Sequence, residues 1–423
     1  MIDVKQLRDS PELFRRGVKN KNEQADIDGI LTLDKRRREL LQEANSLKHQ
    51  RNVVSEEIGQ KKKAGEDASE QIAAMQEVAA TIKELDGELK EVEEILEHHL
   101  LTVPNLPHES VPVGADESAN TEVRTWGDIP AFDFQPLTHT DLGEQLGLFD
   151  FHRSARISGT GFPLYTNMGA KLERALLSFM IDYHVEHHGY TEILPPLLVT
   201  RESMQNTGQL PKLAEDMYHI PSDDLFLIPT AEVPVTNIHQ GEILQEDDLP
   251  IKYVAYTPCF RREAGSHGRE TRGFLRLHQF NKVEMVRFVR PEDSYDVLEE
   301  LTANAEAILQ ALEIPYRVMA LSTGDLSFAA AKCYDLEIWA PGEERWLEVS
   351  SVSNFEDFQA RRGNIRFRRN STGNTEFVHT LNGSGVATAR LLAALLENHQ
   401  TDEGTIKLPG VLEPYLGTTV VKP

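Results

Sequence analysis

Two arginines, two carboxylates and an aromatic ring fall on one side of a short stretch of this chain. In Phe274-Leu-Arg-Leu-His-Gln-Phe-Asn-Lys-Val-Glu284, a two-residue period puts Arg276, His278, Phe280, Lys282 and Glu284 on one face. Leu275, Leu277, Val283 and Met285 fall mainly on the other. Upstream, Thr257-Pro-Cys-Phe-Arg-Arg-Glu-Ala-Gly265 gives Arg261 and Glu263 a common face. The residues between, 264–273, are rich in Gly, Arg and His and read as a long hairpin loop. Such a surface suits an anionic, flat-ringed ligand such as a nucleotide. A solvated, salt-bridged face is the alternative, and the density of the polar face favours the ligand.

A second segment strengthens that choice. In Thr380-Leu-Asn-Gly-Ser-Gly-Val-Ala-Thr-Ala-Arg390, a β-prone run enters a Gly-Ser-Gly turn and leaves as an Ala/Leu helix. Glycines let backbone N–H groups approach a ligand, and a helix start adds a positive dipole end. Arg390, one turn in, adds a full charge.

Together the two segments resemble motifs 2 and 3 of the class II aminoacyl-tRNA synthetases. Phe260-Arg261-Arg262-Glu263 matches Phe-Arg-x-Glu, and Gly383-Ser-Gly385-Val-Ala387-Thr-Ala-Arg390 matches Gly-x-Gly-x-Gly-x-x-Arg with Ala387 replacing the third glycine. Leu194-Pro195-Pro196 looks like the proline of motif 1, which lies at the dimer interface in that family. Thr230-Ala231-Glu232, the Asn382-Gly-Ser384-Gly turn and Glu348-Val349-Ser350-Ser351 look like the seryl branch.

The resemblance implies activation of L-serine by ATP and transfer to the tRNA for serine, and to that for selenocysteine. It implies that Arg261 bridges the α-phosphate and the serine carboxylate, with Arg261 and Arg390 as the catalytic pair. Glu263 receives the adenine amino group, Phe280 and Arg390 enclose the ring, and Arg276 and Arg390 face the terminal phosphates. Arg262, Val349 and Ser350 complete the ATP-binding set, while Glu348 and Ser351 resemble a Mg²⁺-coordinating pair of hard oxygen donors. Their three-residue separation is not same-face strand spacing, so a bend or bulge is required there. Thr230, Ala231 and Glu232 look like contacts to the serine amino group, Glu284 like the reader of its hydroxyl, and Ser384 like the opposite wall. The alternatives are a class II synthetase for another amino acid, a related ligase charging a carrier protein, and a silent binding protein on the same fold.

The elements that must position these residues are also legible. From about Asp28 to Leu100 there is no proline, and Leu33, Leu40, Leu47 and Val54 recur every seven residues. Met75, Ile82, Leu89 and Leu96 do the same, shadowed by Val78, Leu85 and Val92. With Lys61-Lys-Lys-Ala-Gly-Glu-Asp67 as a polar turn, this predicts an antiparallel coiled-coil arm over residues 28–100, each helix about 50 Å long. Its first helix carries nine Lys/Arg against six Asp/Glu, its second two against eleven. A projecting arm with one cationic side suits a phosphate backbone, and the resemblance makes the partner tRNA. Lys35, Arg36, Arg37 and Arg38 are the candidate contacts.

A proline-rich connector, Thr102 to Glu122, divides the chain into residues 1–104, a tRNA-binding domain, and residues 105–423, a catalytic domain. In the latter, strand-like runs (Lys252–Arg261, Phe274–Val289, Tyr334–Ile338, Trp346–Val349, Glu376–Leu381) interleave with helical patterns (Asn167–His188, Pro291–Leu312, Val386–His399). The expected class is α+β, an antiparallel sheet flanked by helices.

The net charge of −24 argues against a nucleic-acid partner only if basic residues are evenly spread, and they are not. With 40% hydrophobic residues, no apolar run near 18 and no apolar leader, neither a membrane span nor a signal peptide is expected. Cys259 and Cys333 are too few for a disulfide framework and point to a reducing cytoplasm. The adjacent pairs His98-His99 and His187-His188 diverge from their elements and are not expected to bind metal.

Overall fold

The computed structural model describes residues 1–264 and 273–422. They form two compact units, one of residues 2–19 and 23–104, the other of residues 1, 20–22 and 105–423. Among the described residues no helix is long and apolar enough to cross a membrane.

The first unit contains the expected hairpin. Helix α1 (Ile27–Ala64) and helix α2 (Ser69–Leu101) pack along the seven-residue seam, with Leu40, Ala44, Leu85 and Val92 buried and Leu33, Leu47 and Leu89 partly buried against them. The turn is shorter than the polar run indicates. Lys61, Lys62 and Lys63 form the last turn of α1, where cations oppose the helix dipole, and the chain reverses at Gly65 with φ +78°.

The second unit is built on an eight-stranded sheet among the described residues: β1 (Thr121–Trp126), β2 (Thr191–Glu192), β3 (Ile251–Phe260), β4 (Gln279–Val289), β5 (Tyr316–Ala320), β6 (Lys332–Ala340), β7 (Arg345–Asn354) and β8 (His379–Ala387). Their order across the sheet is β1-β5-β6-β7-β8-β4-β3-β2. Every pairing is antiparallel except β2 with β3. Helices α3 (His139–Gln145), α4 (Asn167–His188), α5 (Ser294–Ala311) and α6 (Thr388–Asn398) belong to this unit. The last three cover one sheet face, and the core sits between the layers: Leu176, Met180, Met285, Ile308, Leu336, Leu392 and Leu396 are all buried there.

Alternation along β4 assigns the faces. Val283, Met285 and Val289 enter the helix-covered core, while Val286 and Phe288 join a smaller cluster with Ala231, Val235 and Phe367 on the other face. Phe280, Lys282 and Glu284 share that second face where it is left open as a cleft.

Two expectations change. Residues 274–278 are turns and bends, so the strand starts at Gln279. Phe274 instead wedges among Phe149, Phe151 and Tyr165, with ring centroids 4.7 to 5.3 Å away, a contact an extended chain would not make. Second, Gly383-Ser-Gly385 is no turn but the interior of β8. The glycines serve close packing: a Cβ on Gly385 would come within 2.4 Å of His184 Nε2, and one on Gly383 within 3.1 Å of Val352. Ala387 has φ −81°, an ordinary extended conformation that needs no glycine. The expected long loop falls mostly on residues 265–272, outside the described residues.

Candidate active site

The cleft on the open face encloses about 580 Å³. Its floor is β4, where burial makes every polar group answerable to a partner. Glu284 is 1% exposed and Lys282 7%. Lying two residues apart on one strand face, they form a direct ion pair. Thr230 closes a triangle: Lys282 Nζ donates to its Oγ1 at 2.9 Å, and that hydroxyl donates to Glu284 Oε2 at 3.1 Å. Ser384 on β8 is the cross-strand neighbour of Glu284.

Beside this triangle, the Glu232 carboxyl is pushed up to about 7. Burial is the main cause, with repulsion from Glu284 adding to it and the Gln359 amide, Lys282 and Arg261 opposing it. Gln359 Nε2 donates to Glu232 Oε1 at 2.6 Å, and Thr380 Oγ1 donates to Gln359 Oε1 at 2.8 Å, which fixes the amide's orientation. Two buried carboxyls, a hydroxyl and an ammonium therefore meet in one pocket. It can take a ligand carrying both a cation and a hydroxyl.

The wall above this pocket is cationic. Arg261 follows the last residue of β3. Its Nε donates to Pro229 O at 3.2 Å, and its guanidinium stands 5.2 Å from the Phe280 ring centroid. Glu263 adopts φ +51°, so strand alternation has already ended there, yet it still lines the cleft and accepts from Arg276 Nη1 at 2.8 Å. Arg390 is held by carbonyls: Nε donates to Leu275 O at 3.0 Å and Nη1 to Glu348 O at 2.8 Å, with Glu348 Oε2 3.5 Å away.

Between Glu348 and Ser351 the required bulge is present. Leu336 pairs with Ser350 but Glu337 with Glu348, leaving Val349 as the extra residue on β7. Glu348 and Ser351 consequently both line the cleft. Asp335 lies directly across from Ser351, and its carboxyl is pushed well above the usual range by burial and then by the charge of Glu348. Two carboxyls that repel one another beside a hydroxyl make a hard-oxygen donor set, and a dication would relieve their repulsion, so these residues fit Mg²⁺.

Not every candidate reaches the cleft. Ala231 is buried in the smaller core cluster, Ser350 donates its hydroxyl to Ser384 O at 2.5 Å between strands, and Arg262 is exposed with its backbone N–H on Asp216 O. Lys282, Gln359, Asn382 and Asp335 belong to the site or its border without having been named as candidates. Lys282 carried a signal in its place on the polar face of β4 and Asn382 in the segment that resembles the seryl branch, whereas Gln359 and Asp335 carried none.

In the first unit, Arg36 pairs with Glu88 at 2.6 Å and Arg37 with Glu93 at 2.9 Å, both across the hairpin, while Arg38 pairs with Asp34 at 3.0 Å. Lys35 stands 3.9 Å from Glu39. The cationic cluster thus already holds carboxylates, two of them from the opposite helix.

Comparison with known proteins places the chain in a family. Residues 1–107 match the family described as "Seryl-tRNA synthetase N-terminal domain" and residues 217–399 that described as "tRNA synthetase class II core domain (G, H, P, S and T)". The "Serine--tRNA ligase" of Desulfitobacterium hafniense is 55% identical over 421 residues, covering 100% of both chains. Among solved structures, seryl-tRNA synthetase from Pyrococcus horikoshii complexed with ATP superposes with a TM-score of 0.93 at 40% identity, covering 100% of both chains. The cytoplasmic enzyme of Naegleria fowleri in complex with AMP gives 0.87 at 31%, covering 100% of this chain and 99% of the other. A class II sheet with a long helical hairpin ahead of it, and full-length likeness at this identity, lead to one conclusion: the chain belongs to the seryl-tRNA synthetase family of the class II aminoacyl-tRNA synthetases.

Proposed function

We propose that the chain is a serine–tRNA ligase that activates L-serine with ATP and transfers the seryl group to the 3′ end of the tRNAs for serine and selenocysteine. The observation that carries this reading is the buried Thr230–Lys282–Glu284 triangle with Glu232 beside it, directly under Arg261.

In activation, a serine carboxylate oxygen attacks the α-phosphorus, the bond to the bridging oxygen breaks, and diphosphate leaves with that electron pair. Both reactants are anionic, so positioning and charge cancellation supply most of the catalysis. Arg261 spans the carboxylate and the α-phosphate, a geometry for which a planar guanidinium is suited. Phe280 and Arg390 enclose the adenine, whose amino group meets Glu263, and Arg276 and Arg390 face the terminal phosphates. Glu348 and Ser351 would hold Mg²⁺, which would supply charge neutralisation of the phosphates. Glu232 and Thr230 take the serine ammonium, Glu284 the hydroxyl, and Ser384 the far side. Ala231, Val349 and Ser350 set the backbone between these groups, and Arg262 flanks Arg261. In transfer, a ribose hydroxyl attacks the seryl carbonyl, AMP leaves, and a phosphate oxygen takes the proton.

We further read residues 1–104 as the tRNA-binding domain, with Lys35 to Arg38 contributing, and residues 105–423 as the catalytic one. Exposed Leu194, Leu197 and Leu198 around Pro195-Pro196 support a homodimer through that face. Two buried free cysteines accord with a reducing cytoplasm.

The test is amino-acid-dependent ATP–diphosphate exchange, in which serine is expected to be the substrate. Glu284→Ala should then lower the serine-over-alanine preference, because a pocket that bonds the hydroxyl rejects an analogue lacking it by stranding its own polar groups. An unchanged ratio in direct competition would remove Glu284 from that role.

A further inference from the structure

We propose that Glu397 and His139 are positioning residues: a buried knot that fixes the three groups of the triphosphate side, Arg276, Glu348 and Arg390, from behind the cleft. The inference rests on the functional reading above.

Glu397, near the end of α6, is fully buried, and its carboxylate accepts four N–H groups. His139 donates to Oε1 through its backbone N at 2.8 Å and its ring Nδ1 at 2.9 Å. The backbone N–H groups of Gly342 and Glu343 donate to Oε2 at 2.9 and 3.2 Å. His139 Nε2 in turn accepts from the N–H of Phe274 at 3.2 Å. Gly273, with φ +59°, lies so close that a Cβ there would come within 2.2 Å of that same nitrogen.

Together with Glu343, these residues form the only cluster of three or more His, Cys, Asp and Glu among the described residues that is close enough to hold a metal. The hydrogen bonds argue for another purpose. Nε2 accepts a hydrogen bond, so the ring proton sits on Nδ1, aimed at Glu397, with Glu343 Oε1 3.5 Å away. Both ring nitrogens are engaged, and neither offers a metal a lone pair.

What the knot ties is the useful part. Phe274 is followed by Leu275, whose carbonyl holds Arg390, and then by Arg276. Gly342 and Glu343 form the turn from which β7 runs to Glu348. Arg390 lies two turns before Glu397 on α6. Three segments far apart in sequence are thus registered against one carboxylate. The serine-side groups, Thr230, Glu232, Glu284 and Ser384, hang on other elements.

The experiment is steady-state exchange with the full chain carrying His139→Leu, with His139→Gln as the conservative variant. The expected result is a KM for ATP raised about tenfold, a KM for serine within about twofold, and partial recovery in His139→Gln. An ATP KM within twofold of the parent, or ATP and serine KM rising in proportion, overturns the proposal. Should His139→Leu not fold, nitrogen-15 NMR of the histidine-labelled parent decides: a protonated Nδ1 with a bare Nε2 upholds the knot, and any other state of the ring overturns it. A parent without serine-dependent exchange would instead sink the functional reading, and the ring measurement would still judge the knot.

Discussion

Replacing Arg261 with alanine should lower serine-dependent ATP–diphosphate exchange by about 10²–10³, the usual cost of deleting one donor aimed at developing transition-state charge. Stability should change little, because the side chain is only half-buried and its polar contact is a single carbonyl, that of Pro229. Arg261→Lys should recover only part of the loss, since an ammonium cannot span carboxylate and phosphate together. Single-turnover rates with circular dichroism on the same preparations test this. Activity within threefold of the parent would take Arg261 out of the chemistry.

Shortening the hairpin should separate the two reactions. Ala44 and Leu85 pack in the same cluster, so joining them through a short glycine-containing turn removes residues 45–84 and keeps the base of the coiled coil. None of the cleft residues lies in that segment. Exchange should stay within about twofold of the parent while tRNA charging falls by about 10² or more, the scale on which loss of several phosphate contacts acts. Equal losses would mean that the arm supports the cleft, and undiminished charging that it does not touch tRNA. Arg36 and Arg37 remain paired to Glu88 and Glu93 in this variant, so a loss would be assigned to the distal arm.

Patterns repeating along one segment were legible in the sequence. The seven-residue period of Leu33, Leu40 and Leu47 placed the hairpin seam, and the two-residue period of Phe280, Lys282 and Glu284 placed the cleft floor. Even the bulge at Val349 followed from requiring Glu348 and Ser351 to share a face. What stayed hidden depends on partners distant in sequence. The glycines at 383 and 385 look like a turn locally, and only the approach of Val352 and His184 makes them strand residues. Gln359 reaches Glu232 across 127 positions, and nothing near either residue announces it. Arg36 and Arg37 read as part of an open cationic patch because the carboxylates that pair with them lie more than fifty residues downstream.

With Glu232 as the proposed partner of the serine ammonium, the raised carboxyl of that residue should make amino-acid capture a proton-exchange event. Near neutral pH about half of the free molecules carry a proton on that group, since it titrates at about 7. An arriving ammonium favours the ionised carboxylate, so binding should expel up to about half of a proton into the buffer at pH 7, and almost none above about pH 8.5. Heats of serine binding measured at pH 7 in phosphate and in Tris should therefore differ in proportion to the ionisation enthalpies of the two buffers. Identical heats would mean that the ammonium does not meet Glu232. If they differ, serine affinity in the cell is linked to pH through one buried side chain.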